Sequence, residues 1–594
     1  MSDTVDAKVA VGGRGRQHEC DWVHMTATPE RGAGEISAIQ AAGSLLPRLN
    51  GFERAFARGE YALWLGAGIS RGRMPDVREL LVKVLEFLRS RVDLENPDCE
   101  FRKVIDHALA LADVHDSDGI VVDLERRVDD WEGVDTLLRR LGRQYSTLLD
   151  YRIPGEPEDF LVWTAVDVSA TYSDPAVGPD LEHFAVAALV IEGTIAGLIS
   201  ANWDGLIERA HSELLGGSTG GLSVLVDSDD FRAHNGQPAI LKFHGCAICA
   251  FTDEQRYRSY LVGRRSQITA WPHDHEHVIV RKHMVQMAST KRTLMIGLSG
   301  QDTNIQDLFA ESSADLAWPW PGDAPAVLFA EDAIGVDQQN ILRVVYAADY
   351  SANGPEIETG SLVRAYAKPL LGALLATTLA EKLGQLAVVA APQVEGAVDS
   401  AVMGLKLYFS RRMGTVGEAR AVLTDLGRAR MLFSSGVLPT PFGRYLPLTD
   451  KPIGQLEKDP LLMSTGLPAA SLALAAVAAE AVDGNWSIET NPHDDQSKEP
   501  MLKILSGGRS AKVWFVANET SAVRLEMSGF IDAEDGECVV ISSDEQLIGA
   551  QRSPSSSIGR TGRFGVRRVH MPDLLLDADD FAEIRQAVRG AVGL

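Results

Sequence analysis

Five apolar residues, Tyr61 to Leu65, run directly into Gly66-Ala67-Gly68, and a helical pattern starts after Met74-Pro75. A strand that is apolar on both faces belongs to a sheet covered on both sides. The same rhythm continues from about 38 to 390, with further runs at Thr194–Ser200, Ala239–Phe243 and Thr293–Leu298 between amphipathic stretches. Strands alternating with helices predict an α/β fold built on a Rossmann-like, mainly parallel sheet. The stretch from about 80 to 195 is largely helical and too long for one crossover, which predicts a helical insertion beside the sheet.

Two changes of texture divide the rest. Leu386–Val398 carries a Pro and a Gly between helical patterns, and Asp483–Glu499 is polar and turn-rich. The expected organisation is an N-terminal arm over 1–37, a catalytic domain over 38–390, a helical linker region over 391–483 and a small α+β domain over 484–594. In the last unit, Ala511–Val516, Ala522–Met527 and Cys538–Ser542 read as strands and Asp577–Leu594 as a closing helix. The N-terminus has no apolar core of a secretory signal. The apolar runs Leu370–Ala380 and Leu467–Ala479 each fall short of the roughly 18 residues that cross a bilayer. A cytoplasmic protein is expected, with no membrane partner. Fifty-seven Lys and Arg against 82 Asp and Glu give −25, a balance that repels nucleic acid and disfavours direct binding to it. Five cysteines, an odd number with one close pair, argue against a disulfide framework.

Four short constellations carry chemistry. Gly66-Ala67-Gly68-Ile69-Ser70 ends the first strand with little side-chain bulk, so backbone amides there can approach a diphosphate; an ordinary strand-to-helix turn has the same composition. Position 71 is Arg, so this is not the G-x-G-x-x-G fingerprint. Asn202-Trp203-Asp204-Gly205 follows the second run, at the sheet edge where open α/β folds bind ligands, and equally could cap the next helix. His244-Gly245 follows the third, offering either a proton-transfer group or a structural His. Gly297-Leu298-Ser299, then Asp302-Thr303-Asn304-Ile305, follows the fourth, as a nucleotide contact or a polar turn.

In this order and spacing the four motifs, together with Pro75-Asp76, resemble the sirtuin (silent information regulator) superfamily over about 38 to 315. The Asn-Trp-Asp-Gly-Leu-Ile-Glu and Gly-Leu-Ser-x-x-Asp-x-Asn-Ile forms look most like the bacterial sirtuin-like proteins of antiphage defence, which hydrolyse NAD. The resemblance implies a sirtuin fold with NAD as the substrate. It places Gly66, Ala67, Gly68, Ser70 and Asp76 around the phosphates and ribose, and Gly297 and Ser299 at the adenosine end. Asp204 would hold the nicotinamide carboxamide, Asn202 would order the nicotinamide ribose and a water, and His244 would be the general base. It further implies an effector that depletes NAD on infection and is held in check by homo-oligomeric assembly or by a partner such as a HerA-type hexameric ATPase. The alternatives are an NAD-dependent deacylase or ADP-ribosyltransferase, or a non-catalytic NAD or ADP-ribose sensor.

One departure bears on that choice. The deacetylases carry two Cys-x-x-Cys pairs on one zinc, and here only Cys246-Ala247-Ile248-Cys249 is present. No zinc is therefore expected, and the two thiols read as small apolar side chains near the pocket. His273, His275 and His277 could lie on one side of an extended strand and ligate a metal, although a solvated loop has the same composition; no metal ligands are assigned. Arg552, Arg560, Arg563, Arg567 and Arg568 form a basic stretch read as a solvated loop or a contact for an acidic protein surface.

Overall fold

A computed structural model describes residues 32–217, 221–313, 318–392, 398–438, 444–456, 466–489, 499–544, 565–575 and 578–594. Seven strands form one parallel sheet: β1 (Tyr61–Leu65), β2 (Gly197–Ser200), β3 (Ser223–Leu225), β4 (Ala239–Lys242), β5 (Arg292–Ile296), β6 (Val327–Ala330) and β7 (Leu362–Val363). Their order is β3-β4-β2-β1-β5-β6-β7. Every paired neighbour runs parallel, with Leu65 of β1 opposite Ser200 on one side and Ile296 on the other. The expected α/β architecture is therefore present, with β1 in the middle.

The continuous apolar run of β1 follows from this position. Tyr61, Leu63 and Leu65 face one core with Leu198, Leu294 and Leu328, under the helices Leu181–Ile191 and Ala367–Ala390. Ala62 and Trp64 face a second core with Ile199, Met295 and Phe329, under the helices Val278–Thr290, Thr303–Ser313 and Val336–Tyr346. A period-2 strand buried on both faces leaves no position for a polar residue.

The insertion has a third core of its own, from Leu81 to Val168, closed by Ala247, Ala250 and Leu261. Helix Leu181–Ile191, at the end of the stretch expected to be insertion, belongs to the sheet instead, since Phe184 to Leu189 lie in the first core. Of the expected arm, residues 1–31 lie outside the described residues, while Ala33 is fully buried.

Apolar run Leu370–Ala380 extends into a 24-residue helix, Ala367–Ala390, long and apolar enough by length and composition to cross a membrane. It is a core helix here: it packs on Leu181–Ile191, Val398–Ser410 and Leu467–Val482. Its Lys382 is fully buried against Glu192 at 2.6 Å. The first core continues through these helices into a second sheet of order β12-β11-β10-β9-β8. Its strands are β8 (Ser487–Glu489), β9 (Leu502–Ser506), β10 (Arg509–Val516), β11 (Cys538–Ser542) and β12 (Arg567–His570). Ala522–Met527, expected as a strand, is helical over Glu519–Met527 because the Asn518 side chain caps it, accepting from Ser521 N at 2.9 Å. Arg552, Arg560 and Arg563 lie outside the described residues; Arg567 and Arg568, expected in a loop, lie on β12, and Arg568 pairs with Glu519 and Glu526 of the helix Glu519–Met527.

Candidate active site

The chain leaves β1 toward β2 and leaves β5 toward β6, on opposite sides of the sheet. Where adjacent strands send their connections apart, a crevice opens at their carboxyl ends. Three glycines meet there. A Cβ on Gly297, whose φ is +63°, would lie 2.5 Å from the Gly68 Cα, and a Cβ on Gly66 would lie 2.3 Å from the Gly297 carbonyl oxygen. Gly66 N donates to Ile296 O at 3.0 Å and Gly68 N to Gly297 O at 3.1 Å. These two amides, expected at a diphosphate, hold the two strands together instead; the glycines act by close backbone approach. Ala67 is exposed at the tip of the turn.

Behind the turn, Ser70 is the hub of a buried cluster. Asp180 N donates to His183 Nδ1 at 3.1 Å, so the ring proton sits on Nε2, which donates to Ser70 Oγ at 3.2 Å. Ser70 donates in turn to Asp204 Oδ2 at 2.9 Å, and Asn202 Nδ2 approaches the same hydroxyl at 3.4 Å. The other carboxylate oxygen of Asp204 accepts from Leu206 N at 3.2 Å, the first amide of the helix Leu206–Leu214, whose N-cap is Gly205. Burial pushes the His183 imidazole down to about 4, against the Asp204 and Asp180 carboxylates, so it is neutral near pH 7 and serves as a hydrogen-bond donor.

Across the crevice, His244 ends the β4 segment with 6% exposure, its Nε2 3.1 Å from the Asn304 amide nitrogen. Burial holds its pKa below the ordinary histidine value, with the Asp302 carboxylate opposing, so it too is neutral. Asn304 is fully buried, and its side-chain oxygen has no hydrogen-bond partner. Such an acceptor is costly unless a ligand or water supplies the donor. Trp203 Nε1 donates to His244 O at 2.8 Å and ties the two halves together. Gly245, with φ +89°, is required because a Cβ would lie 2.4 Å from Tyr260 O. Its role is thus to admit the Tyr260 backbone.

The structure gathers Ser70, Asn202 and Asp204, sets His244 beside Asn304, and brings Gly66, Gly68 and Gly297 into contact. Asp76 and Ser299 make local hydrogen bonds instead. Asp76 is exposed and caps the helix Val77–Arg89, accepting from Glu79 N at 2.9 Å; Ser299 is exposed and accepts from Gln301 N at 3.5 Å. Asn304 stood in the sequence only as part of the Asp302–Ile305 motif, without a role of its own, and His183 was missed. The Asp180-x-x-His183 spacing of a capping box is the signal that could have found it.

His273, His275 and His277 lie on two 3₁₀ turns, not on an extended strand. His277 is buried and stacked on Trp271 at 5.5 Å while His275 is exposed, so turn geometry separates them. Among the described residues no group of three or more His, Cys, Asp or Glu is gathered as a metal site. A cavity of about 600 Å³ beside the insertion is walled by Glu158, Asp159, Glu254, Arg258 and Arg264 and contains none of the residues above.

Fold and cluster together define a Rossmann-like domain with a polar, largely buried site at its topological switch point. Residues 196–342 match the SIR2-like domain, whose family uses NAD. The match runs from β2 to the helix Val336–Tyr346. Strand β1 and its glycine turn precede it in sequence by more than the length of the insertion, and the sheet restores them to its centre. No curated protein matches the chain.

Proposed function

We propose that this chain is an NAD glycohydrolase that cleaves NAD to nicotinamide and ADP-ribose. The observation that carries the reading is the juxtaposition at one switch point of the Ser70-Asp204-Asn202 cluster with neutral His244 and the unpartnered Asn304 oxygen. The residues fit the substrate. The glycines at 66, 68 and 297 let the ends of β1 and β5 close up backbone to backbone beside the site, and the Asn304 acceptor suits a ribose hydroxyl.

Departure of nicotinamide leaves oxocarbenium character on the ribose, which a carboxylate stabilises electrostatically. Asp204, the residue assigned to the nicotinamide carboxamide, supplies that charge beside the leaving group, held in one orientation by the Ser70 hydroxyl and Leu206 N. The Asn202 amide orders the ribose and the attacking water, and the neutral imidazole of His244 takes the proton that the water loses. His183 keeps the Ser70 proton directed at Asp204. Hydrolysis is preferred over deacylation because the sequence holds only one Cys-x-x-Cys pair, two ligands short of the structural zinc of the peptide-docking deacetylases.

Unrestrained NAD hydrolysis would harm the cell that makes the enzyme. We therefore assign it the role of a cytoplasmic antiphage effector, silent until homo-oligomeric assembly or a partner, a HerA-type hexameric ATPase among the candidates, releases it. The region beyond residue 390 is the proposed assembly surface. Asn202→Ala and His244→Ala should each lower NAD turnover by about 10² or more with folding intact. Near-normal turnover in both variants would remove the proposed site.

A further inference from the structure

The two thiols after His244-Gly245 sit in surroundings that inert packing does not require. Cys246 is 1% exposed, and the Nζ of fully buried Lys242 lies 3.7 Å from its sulfur. The same ammonium donates to the main-chain oxygen of Asp204 and pairs with Glu208 Oε1 at 2.5 Å, while Glu208 Oε2 is buried with no hydrogen-bond partner. Three residues on, Cys249 is half-buried in the first turn of the helix Ala247–Thr252, whose N-cap is Cys246. The neighbouring Cys249 thiol and then the Lys242 charge pull the Cys246 thiol well below the usual range, while the Cys246 sulfur and burial make it harder for Cys249 to give up its own proton. A cysteine beside a buried cation is an activated thiol, and residues three apart in a helical turn can be bridged.

The pair is also wired to the candidate active site. Ala247 N donates to Trp203 O at 2.9 Å, Ile248 fills the space over Gly205, where a Cβ would lie 2.9 Å from its Cγ1, and Lys242 holds the Asp204 carbonyl.

We propose that Cys246 and Cys249 form a redox-active dithiol that exchanges with small disulfides of the glutathione type, and that its state controls the Asp204 loop; the second part rests on the proposed NAD site. Cys249, the accessible sulfur, passes its proton to the Cys246 sulfur and attacks the small disulfide, releasing one small thiolate. Cys246 hands that proton to the departing small thiolate and, its own thiolate form favoured by Lys242, attacks the Cys249 sulfur and releases the second. Two protein thiols and one small disulfide become one protein disulfide and two small thiols, so electrons and protons balance.

The test equilibrates the full chain with oxidised and reduced glutathione, quenches with acid and maps each cysteine by mass spectrometry after alkylation. The expected result is a 246–249 disulfide with Cys99 and Cys538 still reduced. Cys246→Ser should accumulate a glutathione adduct on Cys249, and Cys249→Ser should take none on Cys246. Lys242→Met should slow resolution of the mixed disulfide about tenfold. Thiols that stay reduced in excess oxidised glutathione, or equal adducts on the two single variants, would overturn the dithiol. Nicotinamide release should differ at least about fivefold between the oxidised and reduced wild type and not respond to glutathione in the Cys246→Ser/Cys249→Ser double variant. Equal release from the two wild-type states overturns the coupling. A disulfide that forms while neither state releases nicotinamide counts against the NAD reading and leaves the dithiol standing.

Discussion

Replacing Gly297 by Ala tests whether the glycine contact between β1 and β5 shapes the site. The new Cβ would lie 2.5 Å from the Gly68 Cα, where an ordinary carbon contact needs about 3.5 Å. The ends of the two strands must then part by about 1 Å. A side chain at φ +63° costs roughly 1–2 kcal/mol, and forcing packed backbone apart adds about 1–3 kcal/mol. Gly119 provides the reference, since its φ is +66° and nothing lies within 4 Å of an added Cβ. Gly119→Ala should cost the conformational part alone, roughly 1–2 kcal/mol. Urea unfolding of both variants isolates the contact as a difference of about 1–3 kcal/mol. Misplacing the crevice by about 1 Å should also lower NAD turnover in Gly297→Ala by about 10². Equal destabilisation of the two variants, with turnover unchanged in Gly297→Ala, would refute the reasoning.

Two predictions concern stability. Lys382→Met should destabilise the chain by about 3–5 kcal/mol in urea, because it leaves Glu192 buried without its cation. Adding Glu192→Gln should recover part of that loss, and a single-variant effect below about 1 kcal/mol would contradict the pairing. His183 binds its proton in the folded state only near pH 4, against 6.5 when unfolded, so its contribution is present above pH 6.5 and lost as the pH falls toward 4. The shift corresponds to about 3 kcal/mol. Glu182, pushed up to about 7 by burial, has the opposite slope, losing its contribution as pH rises through 7. The His183 part is therefore read as the difference between wild type and His183→Asn at pH 7 and 4.5, and parallel pH profiles would exclude it.

The central strands were legible in the sequence because each is a buried run ending in Gly, Asn or His. Edge strands β3 and β7, of three and two residues, are too short to show periodicity. Strand β6 is apolar throughout and lacked a motif to mark its end. Ala522–Met527 has strand-like composition, and the Asn518 cap outweighed it. Site residues separated from the motifs were the hardest to see. His183 lies 113 positions from Ser70, and only the folded sheet, with the insertion set aside, brings them to 3.2 Å. Asp76 had the residue type of a ligand contact but the spacing of a helix cap, and local hydrogen bonding decided its place.

The most direct measurement of the central claim is product analysis of NAD incubated with the purified full chain, carried out across its size-exclusion fractions with and without an acylated lysine peptide. The account predicts nicotinamide and ADP-ribose in equal amounts, independent of the peptide and abolished in the Asn202→Ala/His244→Ala double variant. Nicotinamide release that requires the peptide and yields acyl-ADP-ribose, or no release from any fraction, would contradict it.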